Sequence, residues 1–481
     1  MPLDGRLLTA WVGGRYLDSG NGPVVELISP WGGGKAATIH IGEAAGVEAA
    51  VASARAAFIA NRGASVADRA GWLEAAASEV EHASEAIVEA AIRDIGKPRR
   101  AAKFEAGRTV AFMRACAQAI GDLRGEVIPL DVVKTGAGLF GFARRVPFGV
   151  VAAITPFNAP ANLLMQKVAP AIVTGNAVVV KPSPEGTRVA LIIAECFKRA
   201  GVPDGLYNVV PGGKDEALVL AAHAGVDVVT VTGGTAAGDA LARAAGAKKF
   251  VAELGGNSAN IVLRDADVQD AASRIAASAF EASGQQCISA QRIIVERAIY
   301  DRFLDAFVAA SAKLKAGDPS LPDTDLGPVV NERAADRVMA LVEDAVARGG
   351  RLLLEPRRDG CLIHPTILAD VPAHARIIRE EIFGPVAVVI KADNLDHAIA
   401  IANDCEFGLQ AACFTRDLVN ALRVSDALNV GSLWINEASR FRLDNYPFGG
   451  VGRSGHGREG VRYAIEEYTQ WKFTGVRLPP G

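Results

Sequence analysis

Between residues 146 and 245 short apolar runs alternate with helix-like segments, and no other feature limits the fold of this chain more. VPFGVVAAITPFN is a continuous apolar run ending in Thr-Pro-Phe-Asn. ANLLMQKVAPAIVTG reads as a helix, NAVVVKPS as a second strand, and EGTRVALIIAECFKRAG as a helix with Gly201 as its stop. GLYNVVPGG, DEALVLAAHAG and VDVVTVTGGTAAGDALARAAG continue the alternation. A strand that is apolar at every position is buried on both faces, which is the condition of a parallel sheet covered by helices on both sides. The repeated units therefore predict an α/β fold with a doubly wound, dinucleotide-type sheet.

A second α/β series follows Gly255: NSANIVLRDAD, RIIVERAIY, VAVVIKAD, AACFTRD and SLWIN. Upstream, residues 44–122 are Ala-rich with helical spacing and read as surface helices. The 481 residues are enough for roughly two to four domains. Hydrophobic residues make up 50%, charged residues 22%, and the net charge is −3, so bulk electrostatics favour neither nucleic acid nor an anionic membrane as a partner. The six cysteines form no CxxC pair and the seven histidines no HExxH, which points away from a disulfide framework or a metal site. No apolar run approaches the roughly 18 residues of a membrane span. The N-terminus lacks the pattern of a secretory leader, and a cytoplasmic location is expected.

Four short motifs carry candidate chemistry, and each has a plain alternative. In TGGTAAG, Gly233 and Gly234 follow a strand and open a helix, where backbone can approach a phosphate; a simple β-α turn would look the same. VVVKPS places Lys181 at the carboxyl end of a strand, the edge where open α/β sheets bind ligands, although a surface lysine is the alternative. VAELGGN sets Glu253 on an apolar run before two glycines, as a general base or as a solvated acid. GQQC puts Cys287 between a Gly-Gln-Gln turn and a strand-like run, Ile293 to Val295, as a nucleophile or as a spare thiol.

Taken together and in order, TPFN, VVVKPS, TGGTAAG, ELGG and GQQC resemble the aldehyde dehydrogenase family, with Cys287 following Glu253 by 34 residues, that family's usual interval. REEIFGPV, PFGGVGRSGHGRE and EYTQWK continue the likeness, which spans the chain from about residue 10. The resemblance implies a Rossmann-type nucleotide-binding domain (residues 1–124 and 146–254), an α/β catalytic domain (255–456), and a β-hairpin oligomerisation arm with the tail beside it (125–145 and 466–481). It implies NAD or NADP as cofactor, a small-molecule aldehyde as substrate, no metal, and a homodimer or homotetramer.

By the same likeness Cys287 is the nucleophile, Asn158 an oxyanion donor with the cysteine backbone N–H, and Glu253 the base that activates water. Gly284 keeps backbone clear of substrate and nicotinamide. Lys181 corresponds to the adenosine-ribose ligand, Gly233 and Gly234 to the pyrophosphate turn, and Glu381 and Phe383 to the nicotinamide ribose and ring contacts. Thr155, Phe157 and Pro184 complete the cofactor set, and Glu459 corresponds to a glutamate proposed in proton relay. Two departures stand out. Pro184 occupies a position where many NAD-preferring members carry glutamate. Ala159, Asn162 and Gln166 replace bulky aromatics, which predicts a wider, more polar tunnel. Arg440 and Arg442, with Phe448 beyond them, sit on the entrance loop. Arginine forks suit a carboxylate, phosphate or phosphonate, as in members acting on lactaldehyde or phosphonoacetaldehyde. An arginine held by an acid such as Asp444 is the alternative. The CoA-acylating class typically lacks the glutamate of ELGG, so Glu253 argues against it. A non-enzymatic member of the fold would have lost the cysteine, asparagine or glutamate.

Overall fold

The computed structural model describes residue 3, residues 5–18, residues 22–477 and residue 479; the remaining positions of the arm tail and nucleotide domain named above lie outside the described residues. Its largest sheet has eight strands, in the order 455–456, 249–253, 228–232, 150–155, 177–182, 207–209, 11–12, 15–16. The five central strands are parallel, and Val150–Thr155 and Ala177–Pro182 are buried at every residue. Helices Glu43–Ala60, Asn162–Val173 and Thr187–Arg199 pack their apolar residues into the same core as these strands. Chain order reverses between Val150–Thr155 and Val228–Thr232: later strands are added on one side up to Tyr207–Val209, and then on the other. A reversal of this kind opens a crevice outside the carboxyl ends of the two strands, and ligands bind there. The segments leaving those ends are Pro156–Asn158 and Gly233–Gly234.

The chain leaves this sheet at Glu253 and enters a second, seven-stranded sheet at Ser258. The four linking residues reach at most about 14 Å when extended. The carboxyl end of the first sheet therefore faces the amino end of the second. Six strands of the second sheet are parallel and Arg351–Leu354 pairs antiparallel at one edge. Strand Ala290–Glu296 lies near its centre, and Cys287 sits just before its amino end.

A third sheet joins Glu126–Ile128, Leu139–Pro147 and Thr469–Arg477, all antiparallel. Short 3₁₀ turns, Leu130–Val132 and Lys134–Gly136, separate the first two strands, so the arm is not a tight hairpin.

The glycine-rich stretch 449–457 is ordered by pairing. Gly455–His456 runs antiparallel to the end of Lys249–Glu253, with Glu253 opposite Gly455. Gly455 has φ +121°, and a Cβ there would lie 2.0 Å from the Ala252 carbonyl oxygen. Only glycine permits this approach. Gly455→Ala is expected to lower the apparent melting temperature by about 4 °C or more and to reduce turnover with it, because the clash falls on the strand end carrying Glu253. Thermal unfolding and initial rates on the same preparation check this; a fully stable, fully active variant would show that the bridge does not hold the strand.

Candidate active site

Asn158 stands on the loop that leaves the switch-point strand. Its Nδ2 donates to the Gln285 carbonyl at 3.0 Å, which orients the amide towards the cysteine loop and leaves its second N–H free. Its own carbonyl accepts from Lys97 Nζ at 2.8 Å. Lys97 is ion-paired with Glu105, both side chains are buried, and Glu105 Oε1 accepts from the backbone N–H groups of Ala161 and Asn162 at 2.8 and 3.1 Å. A buried charge pair thus pins the loop at both ends. Sequence reading assigned this region to surface helices and missed both residues. A charged pair separated by eight positions across a helix start carries no periodic signal.

Cys287 follows three consecutive residues with left-handed backbone: Ala282 (φ 51°), Ser283 (φ 59°) and Gly284 (φ 65°). The two non-glycine residues cost about 1–3 kcal/mol each, and buried hydrogen bonds hold them. Ser283 Oγ donates to Gly327 O at 2.7 Å and Gln285 Oε1 accepts from Val330 N at 3.0 Å. A Cβ at Gly284 would lie 2.2 Å from the Gly384 carbonyl oxygen. The glycine is therefore required by neighbouring backbone, independently of any clearance for substrate and nicotinamide. Gln286 and Cys287 are the partly exposed residues in an otherwise buried stretch from Ala282 to Glu296.

Glu253 is buried, and no hydrogen bond of ordinary geometry reaches either carboxylate oxygen. Burial and the nearby Glu459 carboxylate push its pKa up to about 7, against the opposing pull of the Cys287 thiol, Arg442 and Lys167. Burial and Glu253 raise the Cys287 thiol in turn. A carboxyl that titrates near neutrality beside a thiol that holds its proton is an acid–base pair.

Behind them lies a buried ion cluster. Glu459 Oε1 meets Lys167 Nζ at 2.9 Å, and Oε2 meets Arg442 Nη2 at 2.9 Å. Burial opposes ionisation of Glu459, but Lys167 and Arg442 outweigh it and hold the carboxyl at about 2. Lys167 was missed in the sequence, although a lysine within LLMQKVAPAIV, a helix buried at every position, was a visible signal.

Asn162 and Gln166 lie one turn apart on that helix. Gln166 Nε2 donates to Asp444 Oδ1 at 2.8 Å, while Gln166 Oε1 and Asn162 Nδ2 are buried without partners. Phe448 is buried in one apolar cluster with Ile288 and Leu409, and Cys287 and Tyr446 pack against that cluster. Both entrance arginines are ion-paired, but not with Asp444. Arg440 meets Glu281 at 2.7 Å and Arg442 meets Glu459, whereas Asp444 is held by Arg108, through Nε at 2.9 Å and Nη2 at 2.6 Å.

The cofactor candidates line the crevice. Lys181 is buried at its strand end, burial lowers its pKa to about 8, and no side-chain or backbone partner holds its Nζ among the described residues. Pro184 opens a 3₁₀ turn directly after it, and Thr155 O accepts from Ser183 N at 2.9 Å. Gly234 caps helix Thr235–Ala245, and a Cβ built there meets nothing within 4 Å, which leaves room for a phosphate at the helix amino end. Gly233 N donates to Glu253 O at 3.1 Å, which ties this turn to the candidate base. Glu381 Oε1 accepts from Gly256 N at 2.9 Å, and burial lifts its pKa to about 7. Phe157 and Phe383 meet edge to face, with ring centroids 5.9 Å apart. An orphaned lysine, an open helix terminus and an aromatic corner around one switch point fit a dinucleotide. Among the described residues no group of His, Cys, Asp and Glu is placed to hold a metal ion.

The chain is 37% identical to 3-sulfolactaldehyde dehydrogenase of Priestia aryabhattai over 455 residues, covering 94% of this chain and 95% of the relative. It is 38% identical to lactaldehyde dehydrogenase of Methanocaldococcus jannaschii, covering 82% and 85%. The fold superposes with a TM-score of 0.96 on NADP-dependent glyceraldehyde-3-phosphate dehydrogenase from Bacillus halodurans C-125, solved with NADP, at 33% identity over 98% of this chain and 100% of that one. The aldehyde dehydrogenase family profile matches residues 16–474, and with geometry, relatives and fold in agreement, the chain belongs to the aldehyde dehydrogenase family.

Proposed function

We propose that this NAD(P)-dependent aldehyde dehydrogenase oxidises a short aldehyde bearing a hydroxyl or anionic group, with Cys287, Glu253 and Asn158 as its catalytic residues. The observation that carries the reading is the buried, unpartnered Glu253 carboxyl beside the Cys287 thiol. Glu253 takes the thiol proton, and the thiolate sulfur bonds to the aldehyde carbon. The free N–H of Asn158 Nδ2 and the Cys287 backbone N–H hold the resulting oxyanion. The bound nicotinamide supplies the hydride acceptor. Glu253 then gives the thiol proton up to solvent and takes a proton from the water that attacks the thioester on Cys287; the C–S bond breaks, the carboxylic acid departs and Glu253 returns its proton to the thiolate. In sum, aldehyde, water and NAD(P)⁺ give acid, NAD(P)H and a proton.

Lys181, Pro184, Thr155, Gly233 and Gly234 hold the adenosine and pyrophosphate in this reading, and Phe157, Glu381 and Phe383 the nicotinamide side. Residues 1–124 and 146–254 form the nucleotide-binding domain and 255–456 the catalytic domain. Asn162 Nδ2 and Gln166 Oε1, buried without partners, suit a substrate hydroxyl. Arg440 suits a substrate anion: its side chain keeps 21% exposure and its Nε has no partner. The substrates named for the two relatives, lactaldehyde and 3-sulfolactaldehyde, carry these groups.

We place the enzyme in the cytoplasm as a homo-oligomer. All six cysteines are free, and among the described residues no helix is long and apolar enough to cross a membrane. Among the described residues the arm (125–145 with 469–477) leaves two strand edges open and exposes Val127, Phe140, Trp471 and Phe473. Strand Ser432–Ile435 is likewise an open edge of the second sheet. Uncovered edges and apolar arms of this kind invite pairing with a second copy.

Three outcomes test these assignments. Cys287→Ala and Cys287→Ser abolish turnover, while Glu253→Gln slows deacylation most and keeps a stoichiometric NADH burst; near-normal turnover of Cys287→Ala, or multiple turnover only with added CoA, would contradict the mechanism. Arg440→Ala lowers kcat/KM for an anionic aldehyde about 10- to 150-fold, the equivalent of one charged hydrogen bond, and leaves a neutral aldehyde of similar length almost unchanged. Equal losses for both would remove the anion contact from the proposal. Sedimentation at micromolar concentration gives a dimer or tetramer, and Trp471→Glu with Phe473→Glu shifts it towards monomer; a monodisperse wild-type monomer would contradict the arm's role.

A further inference from the structure

The Lys167–Glu459–Arg442 cluster is buried, charged and unused by the reaction as written. Arg442 is its unusual member. The guanidinium carbon lies 3.7 Å above the Phe448 ring while Nη2 bonds Glu459 Oε2. Phe448 and Glu459 are themselves bridged: Phe448 N donates to Glu459 O at 3.0 Å and Glu459 N to Phe448 O at 2.6 Å. Arg442 therefore clamps both feet of the glycine-rich loop 449–457. That loop pairs through Gly455 with the backbone of Glu253, and Phe448 belongs to the apolar cluster on which Cys287 packs. Only 6% of the Arg442 side chain is exposed, against 21% for Arg440.

We propose that Arg442 is a positioning residue rather than a substrate contact: it locks Glu459 as a fixed anion and supplies the counter-charge under which Glu253 and Cys287 share a proton. The inference rests on the oxidative mechanism above. It also takes Glu459 out of proton relay, since a carboxylate held by two cations at 2.9 Å each does not accept a proton near neutrality.

The charged groups facing Glu253 come from four elements: the Cys287 thiol on its loop, Glu459 beyond the glycine-rich loop, Arg442 on the entrance loop, and Lys167 on helix Asn162–Val173. Cys287 is additionally faced by Glu381. The signs follow from the charges. Removing Arg442 takes a cation from Glu253 and leaves the Glu459 anion less compensated, and both effects raise the proton affinity of Glu253. Removing the Glu459 charge does the opposite. Removing both leaves Lys167 alone, with the same net charge of +1 as the intact triad.

The experiment is the pH profile of kcat with saturating NAD(P) and a neutral aldehyde, read beside the pH dependence of Cys287 alkylation by iodoacetamide, which needs no turnover. The wild-type acid limb is expected near pH 7, where Glu253 loses its proton. Arg442→Met moves that limb up by about one pH unit, Glu459→Gln moves it down, and the double variant returns to the wild-type position. Arg442→Lys keeps the limb in place. Should a single variant fold poorly, the double variant and Arg442→Lys still decide the matter by circular dichroism and alkylation. An unmoved limb in Arg442→Met, with KM raised only for anionic aldehydes, overturns the proposal in favour of a substrate contact. A uniform loss of kcat in Glu459→Gln at every pH overturns it in favour of a relay. Retained turnover in Cys287→Ala would instead sink the underlying mechanism, so the two failures are distinct.

Discussion

A four-residue link, Leu254–Asn257, carries the chain from the carboxyl end of one parallel sheet to the amino end of another, and the site depends on it. Glu253 closes the first sheet, and Cys287 lies beside the start of a central strand of the second. The two glycines of the link are as small as their surroundings require. A Cβ at Gly256 would lie 2.1 Å from the Cys287 carbonyl oxygen, and one at Gly255 would lie 2.8 Å from Glu381 Oε2. The backbone leaving Glu253 is thus packed against the Cys287 peptide and the Glu381 carboxylate. Strand ends and a short covalent span bring Glu253 and the Cys287 loop together.

That rigidity explains how an unpartnered carboxyl survives inside the protein. A buried acid normally finds donors or leaves the interior. Glu253 cannot leave, because its backbone is paired on one side with Thr232 and on the other with Gly455, and its carbonyl accepts from Gly233 N. Its proton affinity rises instead, to about 7. Glu459, a neighbour of the same chemical type, goes the other way because Lys167 and Arg442 flank it. Two carboxyls with separated titrations are a recurrent arrangement in acid–base sites. Here the separation comes from where the cations lie.

The sheets were legible in the sequence because burial on both faces writes itself as unbroken apolar runs. The residues at strand ends were legible because the motifs are local: TPFN, VVVKPS, TGGTAAG, ELGG and GQQC each span a single turn or strand end. What the sequence did not disclose was partnership across the fold. Arg108 and Asp444 are 336 positions apart, and Arg440 and Glu281 meet from different elements. No spacing rule links such residues, so the alternative pairing of an entrance arginine with Asp444 was reasonable and the structure assigns that acid elsewhere. Gly284 teaches the same point. Its neighbour is Gly384 O, a contact invisible in one dimension.

The pairings bear on how a substrate is chosen. Arg108, Arg440 and Arg442 are each ion-paired with an acid, respectively Asp444, Glu281 and Glu459. The approach to the thiol is therefore rich in charge but close to balanced. Such a tunnel does not draw anions by long-range field, and long-range attraction would in any case be screened beyond about 8 Å at physiological salt. Selection must act at contact, through polar atoms that the acids leave over. Arg440 Nε, Asn162 Nδ2 and the Gln166 Oε1 acceptor are of this kind. Leaving a buried polar atom unpaired costs about 1–3 kcal/mol. In the proposed reading an apolar aldehyde would leave all three unpaired, whereas a hydroxyl can donate to Gln166 Oε1 and accept from Asn162 Nδ2, and an anion can accept from Arg440 Nε, so selection works by the penalty imposed on the wrong substrate as much as by attraction to the right one.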